Sequence, residues 1–281
     1  MYVIAVLAAF YSFWPILIMA LEGYNIDLGA FFAVLAGKSS CNIGGLTFAC
    51  SFHPTPAFYL QALGVDAYPR LVANTLMISG LSVAIGFGAG IPVAYALSRI
   101  EIRGKDFVSY MLLAVRTVSQ FVVLIPLYIA YTLLGLFNTI PGMAIAEQLL
   151  VLPVIVWMMR GFFSDIPRDI YDAASVFGKS EWQVFRRVML PMVIPGIVLV
   201  TLFSVVLIWN DFLIADTLTS NATRTVDVGV WEGLSITSLS ITASTWNSLN
   251  AAGTLAYVPA IALMLAIRRY LARGFSLGMT E

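Results

Sequence analysis

Six stretches of this chain carry almost no charge, and that pattern limits the fold more than any other feature. Tyr2–Leu21, Leu71–Ser98, Val188–Asn210 and Leu249–Ile267 are uncharged, Phe107–Leu134 holds only Arg116, and Ile140–Met159 holds only Glu147. Each run is close to or beyond the roughly 20 apolar residues that a helix needs to cross a bilayer. In lipid, backbone N–H and C=O groups must be satisfied within the segment, so such runs form helices. An outer-membrane barrel needs shorter runs with strict alternation, which this sequence lacks. Composition agrees: 60% of residues are hydrophobic and 11% charged, against about 25% charged in soluble domains. The expected class is an all-α membrane protein with six transmembrane helices in the lipid bilayer. Lys+Arg 15 balances Asp+Glu 15, so no bulk positive charge is available for nucleic acid. With 2 Cys and 1 His, no zinc or iron–sulfur ligand set can be assembled, and no metal site is expected.

Orientation follows from the basic residues. Arg99, Arg103, Lys105, Arg160, Arg168, Lys179, Arg186, Arg187, Arg268, Arg269 and Arg273 fall in loops on one side; Lys38, Arg70 and Arg224 fall on the other. Positive loops stay in the cytoplasm, so both termini are expected there. The first helix has no basic residue before it and no clear small-residue cleavage site, and is expected to be retained. This gives a first helix at 1–21, an extracytoplasmic loop at 22–69, a transmembrane domain at 70–272 and a cytoplasmic tail at 273–281.

The external loop holds Cys41 and Cys50, a pair that could form a local disulfide in an oxidising compartment or remain as two thiols. Ala36-Gly37-Lys38-Ser39 has the look of the end of a phosphate-binding loop, but the glycine that the motif requires is Phe32 here and the segment faces outward. No other nucleotide motif is present, so ATP, if it powers this chain, is bound by a partner.

Asp165 to Pro191, within a cytoplasmic loop at 164–191, is too polar to span and too periodic for a linker. Asp165 followed by Pro167 suits a helix start. Ile170, Ala173, Ala174 and Phe177 follow the i, i+3, i+4, i+7 pattern of one apolar face. Gly178 stands where a left-handed cap is wanted, and Ser180 with Gln183 makes a capping box for a second helix. Two short helices joined at a glycine are expected. Such a hairpin could lie on lipid headgroups or dock on a protein. Asp169 and Asp172, where a membrane-surface helix carries Lys and Arg, favour docking.

Asp172-Ala173-Ala174, Gly178 and Leu190-Pro191 together resemble the "EAA" loop of binding-protein-dependent ABC importers. The wider chain is similar to carbohydrate permeases of the maltose-transporter G-subunit kind. The likeness runs over about residues 68–280, through Asn74-Thr75-Leu76, Ala94-Tyr95-Ala96-Leu97-Ser98-Arg99, Leu124-Ile125-Pro126-Leu127-Tyr128, Arg160-Gly161-Phe162-Phe163 and Trp209-Asn210-Asp211-Phe212. It implies a type I importer permease fold in the cell membrane, with no catalytic residue. It also implies four partners: a second permease chain (usually a different one), two ATP-binding subunits holding ATP and Mg, and an extracytoplasmic sugar-binding protein. It places the ATPase coupling role on Asp172, Ala173, Ala174, Phe177, Gly178 and Ser180. The family usually has Glu at Asp172 and Asp at Phe177, so pairing with the ATPase is expected to be private to a cognate partner.

Polar groups inside spans are costly and mark partners or pathways. Gln120, Glu147, Trp209, Asn210, Asp211 and Phe212 are candidates for the substrate path or gate. Arg116 and Glu147 lie at similar depths, which suggests either an ion pair between helices or a pathway lining. The Trp209–Phe212 quartet reads either as an aromatic platform with polar groups for a sugar or as an interfacial belt. Gly86 and Gly90 make a small face for close helix packing, and Pro92, Pro126, Pro153 and Pro195 suggest kinks. Asn221-Ala222-Thr223 is an external acceptor sequence for N-glycosylation. Alternatives are an importer for another small polar solute and a stand-alone secondary transporter, although the inverted repeats the latter needs are not visible. No nucleophile motif supports an enzyme.

Overall fold

The structure is a computed structural model that describes residues 14–24, 40–43, 46–49, 55–64, 68–100, 104–237, 247–248, 250–262 and 265. Its helices are α1 (Trp14–Gly23), α2 (Ala57–Gly64), α3 (Tyr68–Arg99), α4 (Lys105–Val115), α5 (Gln120–Leu133), α6 (Ile140–Ala146), α7 (Gln148–Ser164), α8 (Arg168–Val176) and α9 (Glu181–Met192). Then come α10 (Ile194–Trp209), α11 (Leu213–Leu218), α12 (Val226–Thr237) and α13 (250–262). One antiparallel hairpin, β1 (Ser40–Ile43) and β2 (Leu46–Ala49), pairs Cys41 with Phe48. Cys50, and with it the disulfide expectation, lies outside the described residues, as does the 36–39 segment.

The chain divides into two compact units, Met1–Val72 with Val226–Ala260, and Ala73–Thr225 with Ile261–Glu281. In the first unit, Tyr59 donates to the Ala20 carbonyl at 2.9 Å, Tyr68 to that of Leu255 at 2.5 Å, and Asn250 to the Glu22 carboxylate at 2.7 Å.

The second unit is built on α3, α7 and α10. Val151, Ile155, Met159 and Phe163 recur every fourth residue along α7, and all are fully buried. Gly196, Val200, Ser204 and Ile208 form the matching buried row on α10, and the two helices pack together. The absence of a side chain at Gly196 admits the Phe162 ring, whose atoms lie 2.5–2.8 Å from where a Cβ would stand. The expected Gly86/Gly90 face is present: Cβ atoms there would meet Ile155 at 2.5 and 2.8 Å. Gln148 reinforces this contact by donating to the Ser82 carbonyl at 3.0 Å.

Among the described residues, by length and composition, α3 is the one helix that could cross a membrane by itself, and three bent pairs could each be one span: α4–α5 at 84°, α6–α7 at 52° and α9–α10 at 71°. Three of the six expected spans are therefore broken, while the first and last fall partly outside the described residues. The prolines mark only one of the three breaks. Pro92, Pro126 and Pro153 sit inside α3, α5 and α7; only Pro195 follows a break, in the first turn of α10. The other two breaks fall at Arg116–Ser119 and at Glu147, where polar side chains interrupt the apolar run.

Candidate coupling loop and substrate path

The loop after α7 forms two short helices joined across Gly178. The glycine adopts the left-handed conformation, φ +74°, that a side chain would disfavour. Ser180 accepts from the Gln183 N–H and the Gln183 side chain accepts from the Ser180 N–H, completing the capping box. The Tyr171 hydroxyl donates to the Glu181 carboxylate, tying α8 to α9. That bond, with burial and the Glu181 charge behind it, pushes the Tyr171 pKa up to about 12.

Two expectations for this loop change. Asp165 belongs to the end of α7 as its cap, and α8 starts at Arg168. The apolar face also splits: Ala174 is buried and Ile170 half-buried, but Ala173 and Phe177 are exposed. Phe177, Val176 and Trp182 are exposed at 83%, 86% and 62%, an apolar outer surface on the two short helices, and Asp172 is exposed as well. Beyond Trp182 the helix runs into a π-helical stretch, Phe185–Met189, of the kind that often marks functional sites.

Within the spans, Glu147 stands at the α6–α7 break, only 1% exposed. Neither of its carboxylate oxygens has a hydrogen-bond partner among the described residues. The charge that acts on it is the like charge of Asp211. The expected ion pair with Arg116 does not form, because Arg116 is exposed at the end of α4. Arg116 instead lines, with Gln120, Leu149, Leu150 and Ile214, a mainly apolar cavity of 280 Å³ at the α4–α5 break.

The Trp209–Phe212 quartet is the C-terminus of α10 and the turn into α11. Trp209 is buried. Asn210 is exposed, and its amide donates back to the Val206 carbonyl at 2.7 Å. Asp211 is buried and accepts the Ala215 N–H at 3.2 Å, capping α11; Phe212 is half-buried. The four thus differ in exposure, from buried Trp209 and Asp211 to exposed Asn210.

Sequence reading missed Asn138. It is the single non-glycine residue with positive φ, 55°, among the described residues. Its Oδ1 accepts from the Ser220 N–H at 3.0 Å and the Thr223 hydroxyl at 2.8 Å. Asn74 adds bonds to the Ala222 and Arg224 carbonyls, each at 3.1 Å. In the glycosylation triplet Asn221 is exposed, while Thr223 is buried and committed to Asn138. Asn in a turn, ahead of Thr139-Ile140-Pro141, was the available signal for the left-handed position.

One long apolar helix, three bent apolar pairs and a helix–glycine–helix knob define a multi-pass helical membrane protein of the permease class. The chain belongs to the binding-protein-dependent transport system inner membrane component family, which it matches over residues 86–277. It is 28% identical over 230 residues to the probable ABC transporter permease protein y4oR of Sinorhizobium fredii, covering 82% of this chain and 81% of that protein. It is also 28% identical over 217 residues to the trehalose transport system permease protein SugB of Mycobacterium tuberculosis, covering 77% and 78%. Its fold is similar to that in a crystal structure of a bacterial ABC transporter involved in the import of the acidic polysaccharide alginate, with a TM-score of 0.71 at 20% identity, over 96% of this chain and 94% of that one.

Proposed function

We propose that this chain is a transmembrane permease subunit of an ATP-driven importer, and that its cargo is a mono- or oligosaccharide handed over by an extracytoplasmic binding protein. The observation that carries the reading is the family match over residues 86–277, together with an exposed helix–glycine–helix knob. In this reading six spans cross the cell membrane, with both termini and the knob in the cytoplasm. A second permease chain completes the pathway, and two ATPase subunits hold ATP and Mg. The exposed side chains of Val176, Phe177, Trp182 and Asp172 suit a cleft on the ATPase: large apolar side chains supply contact area, and the acid sets orientation. Gln120 and Glu147 line or gate the path near the α4–α5 and α6–α7 breaks, with Trp209–Phe212 as the adjoining gate. Relatives that serve trehalose and alginate importers support a sugar cargo. The test is reconstitution of the chain with its cognate permease, ATPase and binding protein in proteoliposomes, followed by a panel of labelled sugars. ATP-dependent uptake that also requires the binding protein is expected. Uptake by this chain alone, or of no sugar in the panel, would overturn the reading.

A further inference from the structure

One carbonyl in the last turn of α7 and one in the connection to α8 lack a backbone N–H in helical register. The carbonyl of Phe163 needs the N–H four residues on, but that residue is Pro167, which has none. The carbonyl of Ile166, in the connection between α7 and α8, does not receive the Ile170 N–H, which bonds the Pro167 carbonyl at 3.3 Å. Phe163 and Ile166 are both buried, so water cannot easily replace the lost donors. Arg99, the last residue of α3, fills both places: its Nη2 donates to Phe163 O and to Ile166 O at 2.5 Å each.

The same guanidinium lies within electrostatic reach of Arg168, Tyr171 and Asp172, all on the first helix of the coupling loop. A second connection runs in parallel. Exposed Trp182 contacts buried Phe185 at 5.2 Å between ring centroids, and Phe185 contacts Tyr95 at 4.8 Å. Tyr95 in turn meets Phe163 edge-on at 5.5 Å. Tyr95 and Arg99 stand one turn apart at the end of α3, and so the loop is fastened to α3 and α7 by a charged clamp and an aromatic stack.

We infer that Arg99 is a positioning residue for ATP coupling: by holding the two orphaned carbonyls it makes the knob and the ends of α3 and α7 one body, so that displacement of the knob moves the spans. This rests on the importer reading above. An isolated hydrogen bond of this kind in a flexible loop would yield under load; here two bonds from one charged donor to the carbonyls of buried residues resist it.

The test uses the reconstituted full complex with Arg99→Met, which keeps length and removes donors and charge, and Arg99→Lys, which keeps charge and three donors on a shorter stem. Sugar transported per ATP hydrolysed and stimulation of hydrolysis by the loaded binding protein are read for each. Arg99→Met should assemble with its ATPase yet lose about 10-fold in transport per ATP, and Arg99→Lys should recover part of it. A clamp that serves stability alone would lower the yield of complex and leave the ratio unchanged; that result overturns the inference. Should Arg99→Met fail to assemble, Arg99→Lys decides by the same ratio: a fall supports the inference, and a ratio equal to the wild type overturns it. If the wild-type complex shows no ATP-driven uptake, the functional reading itself fails.

Discussion

Three alanine substitutions on α3 probe helix packing with identical chemistry. Gly86, Gly88 and Gly90 are spaced two apart, so the first and last face α7 while Gly88 faces outward, where a Cβ meets nothing within 4 Å. Gly→Ala in an exposed helix interior gains up to about 1 kcal/mol from reduced backbone freedom and better propensity. Gly88→Ala should therefore stabilise the protein by roughly that amount. At Gly90 the new methyl would lie 2.8 Å from Ile155 Cγ2 and 3.5 Å from its Cβ. Ordinary carbon contacts are about 3.5–4.0 Å. The branched carbon cannot swing away by rotation of the outer torsion, and Ile155 is fully buried, so the helices must part by about 1 Å. Overpacking of this kind costs about 1–3 kcal/mol, which outweighs the gain in propensity. Gly86→Ala meets the far end of Ile155, Cδ1 at 2.5 Å, Gln148 Oε1 at 3.1 Å and Val151 Cγ2 at an ordinary 3.9 Å, so its net effect should fall between the other two. Because propensity and unfolded-state effects are nearly common to all three, the difference between Gly90→Ala and Gly88→Ala isolates packing, at about 1–3 kcal/mol. Denaturation of the purified protein in mild detergent with increasing SDS measures it. Equal stability of Gly88→Ala and Gly90→Ala would refute the argument that the glycine face sets the approach of α3 to α7.

Three further outcomes are expected. At Gly178 a valine forces a β-branched residue into the left-handed region, at a cost of roughly 1–2 kcal/mol, and should uncouple hydrolysis from transport; asparagine, which tolerates that conformation, should be milder, and a fully coupled valine variant would count against the docking role. Because Arg116 and Glu147 are not paired, the charge swap Arg116→Glu with Glu147→Arg should not rescue transport lost in Glu147→Arg, and Glu147→Gln should leave thermal stability equal or higher; rescue by the swap would restore the ion pair. Burial pushes the Asp227 carboxyl up from 3.8 to about 6, so its neutral form is the one the fold favours: this contribution is full below the unfolded value and is lost as pH rises through about 6. The total is roughly 1–3 kcal/mol once solvent at its partly exposed edge is allowed for; Asp227→Asn should flatten the stability profile between about pH 4 and 6, and an unchanged profile excludes this group.

Features fixed by local rules were legible in the sequence. The capping box at Ser180 and Gln183, the left-handed Gly178 and the close face of Gly86 and Gly90 each depend on a few neighbouring residues, whose backbone needs do not change with the surroundings. The two-helix hairpin after α7 follows from those local signals together. What failed depends on long-range placement. Hydropathy marks where a chain enters lipid, yet it is blind to direction, so α4–α5 read as one helix although the two halves meet at 84°. Depth along a span is equally blind to azimuth: Arg116 and Glu147 matched in depth, but they point to different environments.

The prolines teach the same lesson from the other side. A proline removes one N–H, and a helix tolerates this when another donor serves the freed carbonyl. Pro92, Pro126 and Pro153 stay within continuous helices. Pro167 shows how the donor can come from elsewhere, since Arg99, far off in sequence, takes over the Phe163 carbonyl. Two of the three breaks fall instead where polar residues interrupt apolar runs, at Arg116–Ser119 and at Glu147, while the third lies at Val193 between Pro191 and Pro195. A chain that must bend inside a membrane places unsatisfied backbone groups at the bend, and these can survive only beside a cavity or a polar neighbour. The cavity lined by Arg116 and Gln120 adjoins one such bend, and the buried Glu147, with Asp211 acting on it, marks another. Polar residues in the spans thus identify bends before they identify a ligand, and the substrate path is best sought where two bends lie close together.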